Sequence, residues 1–325
     1  MNLPDQNSSL DELREFSDID FIITDLDGTF VHHGEAVWQQ LHGVQAKLHN
    51  SSPTITIATG RTYYGMKEIA DDIRMKKNTP IILYNGAVIL SYISQNILYQ
   101  KTIPNSVLYD LCRIIDLESQ NILAYYMQSG ENQSIIEFVH GFGCPICDYD
   151  VNGMRIIWHD KQSVDKLGNN FDDLSISALI NSTYVDNVEI SLFQHVPEPC
   201  SILIDKKVVF DKLEKLTRYL QSCHHVSYTD SGSGYFEIKA QGVNKGTIFN
   251  FIRGSENKKC VAIGDNDNDV ELLQGADIGV VVANASAAAA NVAKYQCRQG
   301  GTNGVLELLE VIKAANRYWE RELLQ

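Results

Sequence analysis

The chain has 325 residues, of which 44% are hydrophobic and 21% are charged, and both fractions are ordinary for a soluble globular protein. Its formal net charge of -14 leaves no surplus of basic side chains, so neither nucleic acid nor an anionic membrane surface is expected as a partner. The length exceeds the usual size of a single domain, which favours two domains.

The N-terminus, MNLPDQNSSLDELREFSD, has neither the basic start nor the apolar core of a secretory signal. No apolar run approaches the roughly 20 residues that a membrane helix needs. We therefore predict a cytoplasmic protein in which residues 1–16 form a flexible extension. Seven cysteines are too few and too scattered for a disulfide framework in a chain of this length, so reduced thiols are expected.

Short apolar runs alternate with helical patterns at both ends of the chain, a pattern typical of parallel βαβ units. The runs are nearly continuous in apolar residues, as in strands that are covered on both faces. They lie at 20–24, 54–59, 80–85, 259–264 and 277–283. Helices are predicted over 63–75 and 245–253. The two ends together predict an α/β domain with a Rossmann-like parallel sheet.

The middle of the chain has a different pattern. Apolar residues recur on one helical face over 106–118 and over 209–222. Strand-like segments surround these helices: ILAYYMQ, SIIEFVH, MRIIWHD, NVEISLF, SILID and YFEIKA. The mixture predicts an α+β domain with a largely antiparallel sheet, inserted into the α/β domain. We place the inserted domain at 104–235 and the α/β domain at 17–103 plus 236–325.

A pair of cysteines in the inserted domain, Cys144 and Cys147, has the CxxC spacing of zinc and redox sites. No second CxxC and no matching pair of histidines accompanies it, so a turn is the favoured interpretation. The doublets His32–His33 and His224–His225 are equally weak as signals of metal ligands.

Two clusters of acids follow predicted strands. Asp25 and Asp27 lie in FIITDLDGTF, and Asp265 and Asp269 lie in AIGDNDND. Taken alone, DLDGT is also compatible with an ordinary turn, since Asp-Gly is a common turn dipeptide. In open α/β sheets, however, ligands bind beyond the carboxyl ends of the strands, where both clusters would meet. Carboxylates about 4 Å apart repel by about 4 kcal/mol at an effective dielectric of 20, so such a cluster needs a cation or shifted pKa values.

The expected cation is Mg²⁺, because all-oxygen sites with few protein ligands leave positions for water and phosphate. A calcium EF-hand is excluded by counting. The sixth and twelfth positions, which require Gly and Glu, are Val270 and Ala276 from Asp265, and Phe30 and Ala36 from Asp25.

Two further polar segments lie at predicted strand ends or helix starts. Thr59 in ATGR offers a hydroxyl and an N–H group for a phosphate, and Lys245 in GVNKGT offers a positive charge. GVNKGT is not a P-loop, because its lysine precedes the second glycine and the GxxxxGK[ST] spacing is absent. Either residue alone is equally compatible with an ordinary structural or surface role.

The ordered set of motifs is more specific than any one of them. It contains DLDGT at 25–29, TGR at 59–61, YNGA at 84–87, GVNKGT at 242–247, GDNDND at 264–269 and VVANA at 281–285. This set resembles the haloacid dehalogenase (HAD) superfamily of phosphohydrolases, and specifically the Cof-type subfamily IIB with a C2B cap. The resemblance covers about 20–99 and 237–309, and the cap is matched by position and length only.

The resemblance implies a Mg²⁺-dependent phosphatase that acts through an aspartyl-phosphate intermediate. Asp25 is then the nucleophile, Asp27 the general acid and base, and Thr59 and Lys245 the groups that stabilise the transferred phosphoryl group. The implied Mg²⁺ ligands are Asp25, Asp27 through its main-chain carbonyl, Asp265 and Asp269. The implied phosphate or substrate contacts are Thr59, Gly60, Arg61, Asn85, Lys245 and Asn268, with Asn284 as a weaker candidate. Arg61 is equally compatible with a structural ion pair.

The substrate implied by the resemblance is a small phosphorylated metabolite, by default a sugar phosphate. The cap residues Tyr125, Tyr126, His159 and Tyr235 are compatible with either core or contact roles. Two alternative functions remain open: phosphoryl transfer between sugars, as in related phosphomutases, and a non-catalytic sugar-phosphate sensor. A dehalogenase is disfavoured because that branch requires neither Asp27 nor a metal. The oligomeric state is not predicted.

Overall fold

A computed structural model of the chain describes residues 1–5, 8–31, 53–115, 122–129, 135–142, 155–159, 197–206, 212–231, 234–253 and 258–322. Cys144, Cys147, the doublet at His32 and the strand predicted over 187–193 lie outside these residues. The chain divides into two compact units, Met1–Arg61, Met66–Leu98 and Asn244–Gln325 in the first, and Thr62–Gly65 and Tyr99–Val243 in the second.

The first unit is built on a parallel sheet, as the alternating apolar runs predict. Its strands are β1 (Phe21–Thr24), β2 (Thr54–Ile57), β12 (Cys260–Gly264), β13 (Ile278–Val281) and β14 (Tyr295–Gln296), in the order β14-β13-β12-β1-β2. The side chains of Ile22, Ile23 and Ile263 are completely buried, which explains why these strands are apolar along their whole length.

A small antiparallel sheet lies beside β2. It consists of β3 (Pro80–Leu83), β4 (Val88–Ser91) and β5 (Ile97–Gln100). The predicted run over 80–85 is therefore a strand only at 80–83. Its ladder partner is the antiparallel β4, and within the described residues a single parallel bridge, Ala58 to Ile82, connects it to the chain beyond β2. A tight turn of 3₁₀ type, Tyr84–Gly86, joins β3 to β4.

The helices that lie wholly or mainly in the first unit are short except for the last. They are α1 (Leu10–Arg14), α2 (Tyr63–Asp72), α5 (Phe249–Ile252), α6 (Val270–Gly275), α7 (Ala287–Val292) and α8 (Gly301–Glu322), numbered with the two helices of the second unit. The helix predicted over 245–253 is divided into a 3₁₀ turn, Lys245–Ile248, followed by α5. A second 3₁₀ turn, Asp267–Asp269, precedes α6.

The N-terminal residues, which the sequence predicts to be flexible, are packed instead. Leu3 and Phe16 have no exposed surface, and the main-chain N–H of Leu3 donates to the carbonyl of Gln296 at 2.8 Å. A parallel bridge between Asn2 and Gln296 extends the sheet beyond β14. The apolar residues of this segment are too widely spaced among polar ones to form a recognisable pattern, yet they are enough to cover a sheet edge.

The second unit contains a six-stranded, mostly antiparallel sheet, in agreement with the predicted inserted domain. The strands are β6 (Ile122–Ser129), β7 (Ile135–Phe142), β8 (Arg155–His159), β9 (Ser201–Asp205), β10 (Val226–Ser231) and β11 (Tyr235–Ala240), in the order β10-β11-β9-β6-β7-β8. Only the β7–β8 pairing is parallel among these strands. The helices are α3 (Asn105–Ile114) and α4 (Leu213–Ser222).

The division between the units differs from the predicted boundary at both crossings: the main segment of the second unit begins at Tyr99 rather than at 104, and it ends at Val243 rather than at 235. Residues 236–240 were assigned to the α/β domain, but they form most of β11, which pairs with β9 and β10 inside the second unit. The predicted boundary falls at the start of this strand, whereas a strand paired on both sides cannot be divided without breaking its ladder. Tyr125 and Tyr126 in β6 are buried. In the described residues, no helix is both long and apolar enough to cross a bilayer.

Candidate active site

The candidate catalytic residues come together because their strands are parallel neighbours. Asp25 directly follows β1, and Asp265 directly follows β12, which pairs with β1 in register from Phe21–Cys260 to Thr24–Ile263. The main-chain N–H of Asp25 donates to the carbonyl of Ile263 at 3.0 Å, so the pairing continues to the first acid. Parallel strands that end at one edge therefore deliver both acids to the same place.

Lys245 lies between two carboxylates with no exposed surface of its own. Its Nζ is 2.6 Å from Oδ1 of Asp25 and 2.7 Å from Oδ1 of Asp269. Only 7% of the Asp25 side chain and none of the Asp269 side chain is exposed. A buried ammonium group paired in this way keeps its charge because both partners are acceptors of charge-assisted hydrogen bonds.

The pKa values in this cluster reflect burial and mutual charge. Burial alone would lower the pKa of Lys245, but the carboxylates of Asp25 and Asp269 outweigh it and raise that pKa above its ordinary value. Burial raises the pKa of Asp25 and Lys245 opposes that rise, while the charge of Asp269 adds to it. Burial likewise raises the pKa of Asp265, opposed by the Thr29 hydroxyl. The cluster thus holds more negative charge than one ammonium group compensates.

A divalent cation fits this excess of negative charge. Asp25, Asp265 and Asp269 each offer a carboxylate oxygen, and these oxygens all lie within 4.8 Å of one another. Asp269 is the least available of the three, because its Oδ1 accepts from Lys245 and its Oδ2 accepts from the main-chain N–H groups of Asp265 and Asn266, both at 3.0 Å. All-oxygen donors of this kind suit a hard cation such as Mg²⁺.

The turn after Asp25 leaves room for Asp265 only because it contains Gly28. The φ angle of Gly28 is +92°, and a Cβ atom at this position would lie 2.3 Å from Oδ2 of Asp265. The next residue, Thr29, donates from its hydroxyl to Oδ1 of Asp265 at 2.7 Å. Gly28 and Thr29 therefore determine where the Asp265 carboxylate lies.

We expect Gly28→Ala to destabilise the protein by roughly 1–3 kcal/mol and to weaken Mg²⁺ binding by about tenfold or more, because the new methyl group strains the turn and displaces Asp265. Thermal unfolding and Mg²⁺ titrations of the variant measure the two effects. Gly234→Ala is the matched control, since Gly234 has a φ of +95° but a Cβ there meets nothing within 4 Å. Equal Mg²⁺ affinity in the two variants would contradict the role assigned to the Asp265 contact.

Asp27 is held by Arg61. The guanidinium donates from Nε to Oδ2 of Asp27 at 2.8 Å and from Nη2 to Oδ1 at 2.5 Å, a bidentate arrangement. Of the two interpretations of Arg61 that the sequence leaves open, the ion pair is the one seen in the described residues. Side-chain exposures of 31% for Arg61 and 36% for Asp27 leave both groups accessible to a small ligand.

Thr59 is completely buried. Its main-chain N–H was expected to be available for a phosphate, but it is already used in a hydrogen bond. That N–H donates to the carbonyl of Ile82 at 3.0 Å, because the chain beyond β2 still pairs with β3. The Thr59 hydroxyl accepts from the main-chain N–H of Arg61 at 3.1 Å, which leaves its own proton for another acceptor. The N–H expectation for Thr59 was wrong, whereas the hydroxyl remains a candidate phosphate donor.

The remaining candidates lie around the same edge. Asn268 donates from Nδ2 to Oδ1 of Asn85 at 3.0 Å, and Asn85 is 3% exposed. Asn284 is exposed, and its Nδ2 lies 3.4 Å from the carbonyl of Gly28. Asp267, which the resemblance leaves without a role, is exposed and accepts from the hydroxyl of Ser286 at 2.6 Å.

The family model described as haloacid dehalogenase-like hydrolase matches residues 22–309, which include every residue of the site described above. The chain belongs to this family. Phosphatase YwpJ of Bacillus subtilis is 23% identical to this HAD-like hydrolase over 300 residues, covering 89% of the chain and 98% of the relative. The B. subtilis 5-amino-6-(5-phospho-D-ribitylamino)uracil phosphatase YitU is 24% identical over 294 residues, covering 89% and 96%.

Solved structures share the fold of this HAD-like hydrolase. The HAD subclass IIB sugar phosphatase BT4131 matches with a TM-score of 0.54 and 16% identity, over 90% of this chain and 98% of that one. A HAD/Cof-like hydrolase from Plasmodium vivax matches with a TM-score of 0.61 and 17% identity, over 94% and 98%. The predicted resemblance to Cof-type HAD proteins and the predicted α/β core with an inserted α+β domain are confirmed.

Two hydroxyl groups of the HAD-like hydrolase contribute to the site without having been singled out from the sequence. Thr29 was read only as part of the turn, although its hydroxyl bonds to Asp265. Thr24 donates from its hydroxyl to the carbonyl of Asp25 at 2.7 Å. Both threonines lie within two residues of an acid in TDLDGT, and a hydroxyl residue this close to a predicted carboxylate cluster is a signal that could have identified them.

Proposed function

We propose that the protein is a Mg²⁺-dependent phosphatase that hydrolyses a small phosphomonoester through an aspartyl phosphate on Asp25. The observation that carries this proposal is the buried Asp25–Lys245–Asp269 ion-pair cluster beside Asp265. The enzyme class, a phosphoric monoester hydrolase, is supported by the family model and by relatives that are named phosphatases.

In the proposed first step, a carboxylate oxygen of Asp25 forms a bond to phosphorus while the bond from phosphorus to the ester oxygen breaks. The departing oxygen takes a proton from Asp27. In the second step, water attacks phosphorus and gives a proton to Asp27 while the bond from phosphorus to the Asp25 oxygen breaks. This step releases inorganic phosphate and restores the Asp25 carboxylate. Lys245 and the Thr59 hydroxyl stabilise the phosphoryl oxygens during both steps.

Proton donation by Asp27 requires its ion pair with Arg61 to open. The oxygens of a phosphate ester are alternative acceptors for the same guanidinium N–H groups, so a bound substrate can draw Arg61 away from Asp27. Both interpretations of Arg61 can therefore hold in turn. Arg61 pairs with Asp27 in the described structure, and we propose that it contacts phosphate when substrate binds.

Asp25, Asp265 and the main-chain carbonyl of Asp27 would hold Mg²⁺, with Asp269 acting partly through water, and the cation's charge would stabilise the phosphoryl oxygens. The assignment of Asp269 to an indirect role follows from its two oxygens, both of which already accept hydrogen bonds.

The substrate class is proposed to be a phosphorylated polyol or sugar. YitU is named for a phosphorylated ribityl compound, and BT4131 is named a sugar phosphatase. Both names describe a phosphomonoester on a hydroxylated carbon chain, which is also the default class implied by the sequence motifs.

The proposed function is tested by incubating the protein with sugar phosphates, polyol phosphates and a chromogenic phosphate ester, with Mg²⁺ and with a chelator. Inorganic phosphate release that requires Mg²⁺ supports the proposal. Isomerised sugar phosphate with little free phosphate would establish phosphoryl transfer instead, and calorimetric binding of a sugar phosphate without any turnover would establish a sensor.

A further inference from the structure

The 3₁₀ turn between β3 and β4 has an unusual main chain. Three consecutive residues adopt positive φ angles: Tyr84 at 51°, Asn85 at 54° and Gly86 at 105°. Residues other than glycine lose roughly 1–3 kcal/mol each in sparsely populated conformations, and they persist only where surrounding contacts compensate. The turn is therefore held in place by its neighbours, and the identity of those neighbours indicates its role.

The first neighbour is the segment that carries Thr59 and Arg61. The main-chain N–H of Asn85 donates to the carbonyl of Thr59 at 3.0 Å, and the N–H of Tyr84 donates to the carbonyl of Arg61 at 3.2 Å. Between these two bonds lies Gly60, where a Cβ atom would be only 2.9 Å from Nδ2 of Asn85. The turn thus binds both ends of the TGR segment and fills the space beside its glycine.

The second neighbour is the main chain that precedes the buried lysine. A Cβ atom on Gly86 would lie 2.1 Å from the carbonyl oxygen of Asn244, the residue directly before Lys245. Such an approach is possible only without a side chain, so the turn packs directly against the start of the Lys245–Ile248 turn.

The third neighbour is the acidic turn after β12, reached through the side chain of Asn85. Oδ1 of Asn85 accepts from Nδ2 of Asn268 at 3.0 Å. A carbonyl oxygen can only accept, so it requires Asn268 to turn Nδ2 toward Asn85 and Oδ1 away from it. Oδ1 of Asn268 is buried and makes no hydrogen bond within the described residues, which leaves an acceptor for a proton donor such as water or a substrate hydroxyl.

We propose that Asn85 is a positioning residue that acts through Asn268, and that the Tyr84–Gly86 turn fixes the segments of Thr59, Lys245 and Asp269 relative to one another. Asn85 was predicted from the sequence as a phosphate or substrate contact. With 3% exposure and its Oδ1 bonded to Asn268, it is better placed to orient that amide than to meet a ligand. This assignment rests on the proposed phosphatase function for its effect on rate.

The test uses Asn85→Gly, which removes the amide while keeping a residue that adopts positive φ freely. We expect kcat to fall roughly tenfold with KM nearly unchanged, as for the loss of one orienting hydrogen bond. Asn268→Ala should lower kcat at least as much, and the double variant should be no slower than Asn268→Ala alone, because the Asn85 amide is proposed to affect the rate through Asn268. Asn85→Asp, which retains the accepting oxygen, should recover part of the rate.

Asn78→Gly is the matched control: Asn78 also has a positive φ, of 61°, but it is exposed and outside the site, so its kinetic constants should not change. A raised KM in Asn85→Gly, or rate losses that multiply in the double variant, would overturn the proposal in favour of direct substrate contact.

A second measurement does not depend on activity. In a ¹⁵N-labelled sample, the side-chain amide signal of Asn268 should shift in Asn85→Gly and stay in place in Asn78→Gly. An unchanged Asn268 signal would overturn the proposal even in an active enzyme. A shifted signal in a protein that hydrolyses no phosphate ester would support the contact while the proposed function fails.

Discussion

Asp25→Asn is expected to lose at least about 10⁴-fold in the rate of phosphate release, because an amide cannot form the aspartyl phosphate on which the proposed reaction depends. The change preserves the shape of the side chain, and the amide oxygen can still accept from Lys245. Hydrolysis of a chromogenic phosphate ester at saturating Mg²⁺ measures the loss.

The same variant should be at least as stable as the wild type when Mg²⁺ is absent. Burial raises the pKa of Asp25, so its charged form is disfavoured in the folded protein, and a neutral amide removes that disadvantage. Thermal unfolding in chelator measures this effect, with Asp18→Asn as the control because Asp18 is an exposed acid that lies before β1, away from the cluster. Residual activity within tenfold of the wild type would contradict Asp25 as the nucleophile.

The parts of the fold that the sequence predicts are those determined by local pattern. Continuous apolar runs identify β1 and β12, because strands covered on both faces need apolar side chains at every position. Since parallel strands end at a common edge, the convergence of Asp25 and Asp265 follows from the same pattern. The candidate site is predictable for the same reason that the sheet is.

Hydrogen-bond partners are less predictable, because they depend on three-dimensional proximity between distant segments. The N–H of Thr59 is not free because it donates to the carbonyl of Ile82 in β3, two residues beyond the end of β2, and the two carboxylate oxygens of Asp269 accept from three donors. The bonds of Thr59 to Ile82 and of Lys245 to Asp269 leave no trace in residue spacing, whereas the bonds from the Asp265 and Asn266 N–H groups to Asp269 are local and follow the spacing of a capping box. The burial of Leu3 and Phe16 is similar, since it depends on an open sheet edge at β14 that the N-terminal sequence itself does not describe.

The site also illustrates a conflict between stability and function. With both carboxyl groups ionised, the buried side chains of Asp25, Lys245 and Asp269 together carry one net negative charge. Such a group is unfavourable for folding but suits a site that must bind a cation, whose charge would offset the carboxylates and help to hold an anionic phosphate ester. Mg²⁺ should therefore stabilise the folded protein as well as activate it.

Lys245→Met is expected to remove nearly all activity and to destabilise the fold by about 3–5 kcal/mol, because two buried carboxylates then lack their shared cation. Methionine has an unbranched side chain only one atom shorter than that of lysine, so the loss reflects mainly charge rather than a cavity. Denaturant unfolding in chelator measures the stability. Mg²⁺ should restore part of it by supplying positive charge near Asp25.

The double variant Lys245→Met/Asp269→Asn separates charge from packing. Replacing Asp269 by a neutral isostere returns the cluster to one buried negative charge, so the double variant should be more stable than Lys245→Met by about 1–3 kcal/mol while remaining inactive. Additive destabilisation by the second change would show that Lys245 contributes through packing, and it would remove the electrostatic basis assigned to this lysine. Recovery of stability without recovery of rate would instead assign the ammonium group two roles, one in compensating Asp25 and Asp269 and one in binding the phosphoryl oxygens.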